Sequence, residues 1–149
     1  ALVRVSPAID DDATAGRSAR VRAELDALGG RPVEARLLLA DAARCLRAAG
    51  LRGEAAECLV RRAEVAADDA EVEGARRDLK RALDQSPALA PRLELRMELV
   101  RARIAEEKEE ADLLLEEVCD RAAAEADPLG RALAASARAR SLKADERVD

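Results

Sequence analysis

The stretch ARRDLKRALDQSP, at residues 75–87, decides how the fold of this chain is interpreted. Small or apolar residues recur in it at Ala75, Leu79 and Ala82, a spacing that lines one face of an α-helix. The charged residues between them are mostly arginines, which favour a helix almost as strongly as leucine does. Because proline lacks the backbone donor that an interior helix position needs, Pro87 marks an end. The stretch therefore predicts an amphipathic helix that stops just before Pro87.

The rest of the chain has the same helical character. Hydrophobic residues make up 49% of it, charged residues 38% and aromatic residues none, so alanine, leucine and arginine dominate. Glycines and prolines fall at regular intervals and predict helix ends. The expected fold is all-α, with an extended lead-in over residues 1–12. The seven predicted helices cover residues 13–28, 32–49, 52–68, 70–86, 88–106, 109–126 and 128–144.

One of these boundaries lacks a helix-breaking residue. The segment 106–109 contains neither glycine nor proline, so a single long helix over 88–126 is the alternative to two helices. The internal repetition of the chain favours the split.

Apolar and small positions recur after 36 residues. The first set is Leu59, Ala63, Ala66, Ala75, Leu79, Ala82 and Leu83. Its echo is Leu95, Leu99, Ala102, Ala111, Leu115, Val118 and Cys119. A related pattern occurs upstream in Val21, Leu25, Leu28, Ala35, Leu39 and Ala42, and downstream in Ala132, Ser136 and Ala139. A fixed period of this length indicates stacked helix pairs, each of which needs its neighbours to bury its apolar face.

These repeats resemble the tetratricopeptide repeat (TPR) family, and in particular its longer bacterial repeats. The segment GRPVEA at residues 30–35 is similar to the turn between the two helices of a repeat, and EEA at 109–111 is similar to the entry into a second helix. ADPLGRA at 126–132 resembles the joint between repeats. The aromatic positions of the family are occupied here by leucine, valine or alanine. The high ratio of arginine to lysine, 23 to 3, also suggests a bacterial genome.

The resemblance implies a right-handed α-solenoid of antiparallel helix pairs. It predicts one TPR-like domain over residues 13–149, with repeats at about 13–50, 51–87 and 88–127 and a partial repeat at 128–146. It also implies a non-catalytic scaffold that holds a protein or peptide partner in a groove lined by the first helix of each repeat. The partner-binding residues expected from it are Arg22, Asp26, Glu57, Val60, Glu64, Leu93, Arg96, Val100, Arg103 and Arg140.

The residue types that are absent from the sequence limit the reactions and ligands that the chain can support. Without histidine there is no ordinary general base at neutral pH and no imidazole metal ligand, so we expect no cofactor and no metal. The net charge of −5 and the absence of aromatic residues argue against nucleic acid and anionic membranes as partners. Three cysteines without a CxxC pair suggest buried thiols in a reducing, cytoplasmic compartment.

Two other functions remain open at this point. The chain could be the sensor or regulatory segment of a larger bacterial signalling ATPase or transcription regulator. It could also be a thiol-dependent enzyme that uses Cys45, Cys58 or Cys119. Self-association through the unpaired last helix is a further expectation.

Overall fold

The structure is a computed structural model that describes residues 7–145, with side chains described from residue 10 to residue 143. Within that range the chain forms seven α-helices and no strand, which confirms the all-α, seven-helix prediction. The helices are α1 (Pro7–Leu28), α2 (Pro32–Ala48), α3 (Arg52–Asp68), α4 (Val72–Gln85), α5 (Pro91–Ile104), α6 (Lys108–Ala124) and α7 (Pro128–Asp145).

Four of the helix connections use the same turn. In the first, the N–H of Arg31 donates to the carbonyl of Asp26 at 2.8 Å, and the N–H of Gly30 donates to Ala27. This pair of bonds is the Schellman motif, which satisfies carbonyls left open at a helix end. The same donor–acceptor spacing closes α2, α3 and α6. Each of these four helices therefore ends in the same way, and the same type of turn connects it to the next helix.

The motif requires a residue with positive φ. Gly30 and Gly50 adopt it without steric conflict, at φ 73° and 78°. Ala70 and Ala126 occupy the equivalent positions at φ 59° and 51°. In the first half of the chain these positions are spaced by 20 residues, and Ala35, Ala55 and Ala75, five residues further on in each case, are all fully buried.

The other two connections are extended rather than tightly turned. Ser86 and Ala90 have β-region backbone angles between α4 and α5, and Ala105 and Glu107 have them between α5 and α6. The predicted split of the 88–126 region into two helices is confirmed.

The chain divides into two compact units between Leu89 and Ala90, whereas the sequence predicted one domain over 13–149. The division falls close to the predicted repeat boundary at residue 87 and within the extended connection after α4. Unit 1 contains α1–α4 and unit 2 contains α5–α7. The right-handed solenoid across all repeats remains a prediction.

In unit 1 each helix packs against the next in the chain, through faces rich in alanine. Gly16 of α1 makes the tightest approach, because a Cβ added there would lie 2.7 Å from Cγ of Leu46 and 3.2 Å from the carbonyl oxygen of Ala42. Small residues on facing helices let the backbones come this close. The fully buried leucines Leu39 and Leu46 fill the space between them.

In unit 2 a smaller core forms around Leu95. Val118, Ala122 and Ala134 pack with it, so each of the three helices contributes. Asp127 starts α7: its Oδ1 accepts the N–H of Leu129 at 3.1 Å, as a helix N-cap does.

The predicted lead-in over residues 1–12 is wrong from Pro7 onward, because α1 already begins there. Proline is well accommodated in the first turn of a helix, and Asp10 lies in that turn, where the positive end of the helix dipole stabilises a carboxylate. Residues 1–6 of the predicted lead-in lie outside the described residues.

The predicted inward faces of α1 and α7 are also wrong. Val21, Leu25 and Leu28 are 62%, 62% and 83% exposed, and Ala23 and Gly16 face the core instead. On α7, Ala132, Ser136 and Ala139 are exposed, and Gly130 and Ala134 are buried. In both helices the observed inward face is shifted by two residues from the predicted one. Two residues correspond to a rotation of about 200° around the helix axis, so the predicted face lies on the opposite side of the helix.

Candidate functional site

The ten residues expected to bind a partner fall into three groups. Arg22, Arg103 and Arg140 are exposed; Asp26, Glu57, Glu64 and Arg96 are half-buried; Val60, Leu93 and Val100 are buried. The last group is a correction: at 0%, 6% and 2% exposure these aliphatic side chains belong to the core and present no surface to a partner.

A seam of ion pairs joins α1 to α3 in unit 1. Its three pairs are Arg17–Glu54 (2.7 Å), Arg20–Glu57 (2.8 Å) and Glu24–Arg61 (2.8 Å). The partners in every pair are 37 residues apart, and their numbers rise together along both helices. The two helices therefore run parallel, as the first helices of consecutive repeats are expected to do.

Two acidic residues that were expected to bind a partner form intramolecular contacts in this seam. Glu57 pairs with Arg20, and Glu64 receives a hydrogen bond from Arg61 at 3.1 Å. The hydrogen bonds that Arg61 donates to Glu24 are the main reason that the pKa of Arg61 is raised. Likewise, the hydrogen bond from Arg17 lowers the pKa of Glu54. These ion pairs link α1 to α3, so the negative charges of Glu57 and Glu64 are largely compensated within the chain.

The outer face of α1 carries an apolar stripe, which we define as Val21, Leu25 and Leu28. The three side chains follow one another at helical spacing, on the side of the helix opposite Ala23. Arg22, the one predicted partner-binding residue of α1 that is fully exposed, lies beside the stripe. The stripe is the largest run of exposed aliphatic side chains on a single described helix.

A second surface feature of unit 1 was not anticipated. An open cavity of about 360 Å³ lies among α2, α3 and α4, with Ala40, Ala43 and Leu59 among its lining residues. A second cavity of about 200 Å³ also has Arg62 and Arg81 in its lining, so the two cavities are adjacent. We call the two together the arginine groove, after the arginines that line them: Arg36, Arg44, Arg47, Arg62, Arg77 and Arg81.

The groove contains one buried acid. Asp78 is 3% exposed and accepts a hydrogen bond from Nη1 of Arg62 at 3.0 Å. Burial raises the pKa of Asp78, although the nearby arginines act in the opposite direction. Nε of Arg62 is itself buried and has no hydrogen-bond partner among the described residues. This N–H is therefore a buried donor without an acceptor, next to the Arg62–Asp78 pair.

The sequence contains a pattern that indicates this groove. Arg44 and Arg47 are three residues apart, and Arg77 and Arg81 are four apart, so each pair lies on one face of its helix. The family resemblance places the binding residues on the first helix of each repeat, so it predicts no site on α2 or α4.

The three thiols differ in their surroundings. Cys58 is fully buried, and this burial raises its pKa to about 11. Because the thiolate is the nucleophilic form, a raised pKa makes this cysteine unreactive at neutral pH. Cys45 and Cys119 are half-buried and, like Cys58, free of disulfides.

No helix among the described residues combines the length and apolar character needed to cross a bilayer, and no three His, Cys, Asp or Glu side chains there cluster as metal ligands would. Comparison with known proteins found no family model, no curated protein and no solved structure that matches this chain.

Proposed function

We propose that the chain is a non-catalytic helical-repeat scaffold that binds a protein partner, and that the outer face of α1 is a docking surface. The observation that carries this proposal is the apolar stripe. Burying one leucine side chain stabilises a contact by roughly 1.5–3 kcal/mol, so three aligned aliphatic side chains left in water favour a protein that covers them.

The partner that fits this surface is an amphipathic helix. Residues Val21, Leu25 and Leu28 are spaced as i, i+4 and i+7, which matches the apolar face of a second helix packed along α1. Arg22 beside the stripe favours a partner with an acidic residue at the edge of its apolar face. The high pKa of Cys58 argues against this cysteine as the nucleophile of a thiol-dependent enzyme.

The experiment is an affinity capture from the organism that encodes the chain, with crosslinking before lysis. The test variant is Leu25→Asp and the matched control is Leu113→Asp, because both leucines are 62% exposed and Leu113 lies on α6. We expect wild type and Leu113→Asp to capture the same protein, and Leu25→Asp to lose it. Both variants should keep the melting temperature of the wild type, since the changes are at the surface.

Capture of the same protein by Leu25→Asp would overturn the assignment of α1 as the docking surface. Sedimentation velocity of the purified chain gives an independent reading. If a concentration-dependent dimer forms and is lost only in Leu25→Asp, the partner is a second copy of this chain.

A further inference from the structure

The arginine groove has a charge opposite to that of the chain as a whole. Six arginines line it against two carboxylates, Glu71 and Asp78, whereas the whole chain has a net charge of −5. Within the described part of the chain, Arg47, Arg77 and Arg81 form no ion pair. The other three groove arginines are paired, as Arg36–Glu71, Arg44–Asp41 and Arg62–Asp78.

The groove is elongated. Arg36 and Arg47 lie at its two ends on α2, and eleven residues of helix span about 16 Å. This is the length of about five residues of an extended chain. A single phosphate group or a small dicarboxylate would contact only part of such a surface.

The lining is also mixed in character. The half-exposed Ala40, together with the small exposed parts of Ala43 and Leu59 (7% each), supplies an apolar strip between the arginines of α2 and those of α3 and α4. Arginine forks bind carboxylates in a bidentate manner, and the strip suits an aliphatic side chain. No histidine or aromatic side chain exists in the chain to stack on a nucleobase.

We propose that the arginine groove binds an acidic segment of a partner protein, in which carboxylate side chains alternate with at least one aliphatic side chain. Two carboxylates of the segment pair with Arg47 and Arg81, and the aliphatic side chain lies on the strip formed by Ala40, Ala43 and Leu59. The proposal extends the proposed scaffold role, but it depends on residues of α2–α4 and not on the apolar stripe of α1.

A selection from a random peptide library displayed on phage, with the full chain as bait, tests this without knowledge of the partner. We expect the selected peptides to be at least threefold richer in aspartate and glutamate than the unselected library. Their affinity should fall at least tenfold in the double variant Arg47→Gln/Arg81→Gln and should fall as the salt concentration rises. The matched control is Arg131→Gln/Arg138→Gln, which removes the same charge from exposed sites on α7 and should bind as the wild type does.

A second variant covers the case in which the double variant fails to fold. Ala40→Glu adds a carboxylate to the half-exposed wall of the groove and should weaken peptide binding by repulsion, with unchanged helical content. The proposal is overturned if the selected peptides show no acidic excess, or if no peptide is selected. It is also overturned if inorganic pyrophosphate or a DNA oligonucleotide binds more tightly than the peptides and displaces them.

The two proposals fail in distinguishable ways. Leu25→Asp should leave peptide binding to the groove unchanged, and Arg47→Gln/Arg81→Gln should leave capture through α1 unchanged. Loss of peptide binding in Leu25→Asp would show that the groove is not an independent site.

Discussion

Units 1 and 2 are both built from short helices, but they are packed with different side chains. Among the described residues, alanine supplies ten of the seventeen buried hydrophobic residues of unit 1 and only three of the ten in unit 2. Unit 2 relies instead on larger side chains, such as Leu95, Met97 and Val118. Three of the turns that close helices in unit 1 are alike, whereas unit 2 has one such turn and one extended connection.

The difference shows two ways to build a core without aromatic residues. Alanine buries little apolar area, so the helices of unit 1 must approach closely to gain dispersion contacts over their whole length. Larger side chains in unit 2 fill the space between helices without such an approach. We therefore expect unit 1 to tolerate added volume less well than unit 2.

The largest expected effect comes from adding a leucine side chain at equivalent positions of the two units. Ala75→Leu, in a fully buried site of α4, should destabilise the protein by about 1–3 kcal/mol because the surrounding helices cannot make room. Ala111→Leu, in a half-buried site of α6, should cost about 0.5 kcal/mol or less. Urea unfolding followed by circular dichroism measures both, and equal effects would contradict the contrast between the units.

The close approach of α1 to α2 gives the next largest effect. Gly16→Ala should be destabilising by about 1–2 kcal/mol, since the overlap with buried Leu46 outweighs the higher helix propensity of alanine. Gly53→Ala is the control, because a Cβ there meets nothing within 4 Å. It should stabilise the protein by about 0.5–1 kcal/mol. If the melting temperatures of both variants shifted in the same direction, the result would contradict the close approach of α1 to α2 at Gly16.

A smaller effect is expected at the turns that both units share. Ala70 in unit 1 and Ala126 in unit 2 hold a positive φ, which is unfavourable by roughly 1 kcal/mol for a residue with a Cβ. Ala70→Gly and Ala126→Gly should each raise stability, by less than that amount because glycine also gains entropy in the unfolded chain. Thermal melts of the two single variants and the double variant measure the gain, and a loss at either position would show that its turn is not the Schellman motif.

The smallest effect concerns the pH dependence of unit 2. The hydrogen bond from the backbone N–H of Gly130, aided by Arg92, lowers the pKa of Asp127 from its ordinary value of 3.8. Because the pKa is lower in the folded than in the unfolded state, the ionised carboxylate stabilises the folded protein at pH values above 3.8. This stabilisation is lost as the pH falls through the pKa of the folded state. Asp127→Asn keeps a capping side chain but removes the charge. The wild type should melt slightly higher at pH 7, and the two melting curves should converge in acid.

The helices could be predicted from the sequence, but the inward faces of two of them could not. Glycine and proline mark most helix ends directly, and the 106–109 break was found through the repeat in spite of lacking both. The face of α1 was misassigned because alanine occurs on every side of the predicted helix 13–28, in which Val21, Leu25 and Leu28 are the only large apolar residues that could mark a core. In a chain with aromatic residues, one buried ring per helix would have fixed the register.

The candidate sites were less predictable than the fold. The expected groove placed Val60, Leu93 and Val100 at a surface, because a family pattern gives a position on a helix and not its burial. The arginine groove draws residues from three helices, and their proximity depends on how those helices pack. The apolar stripe was visible in the sequence, yet it was interpreted as part of the core.

The evenly spaced turns of unit 1 also make the chain extensible. Arg31 and Glu71 occupy the same place in two like turns, 40 residues apart, and each begins the same kind of hydrogen-bonded entry into the next helix. A cassette copied from residues 32–71 would enter and leave through turns that the chain already makes. Each added copy would lengthen the protein by two helices and would need no newly designed connection. The number of copies would therefore set the length of the protein.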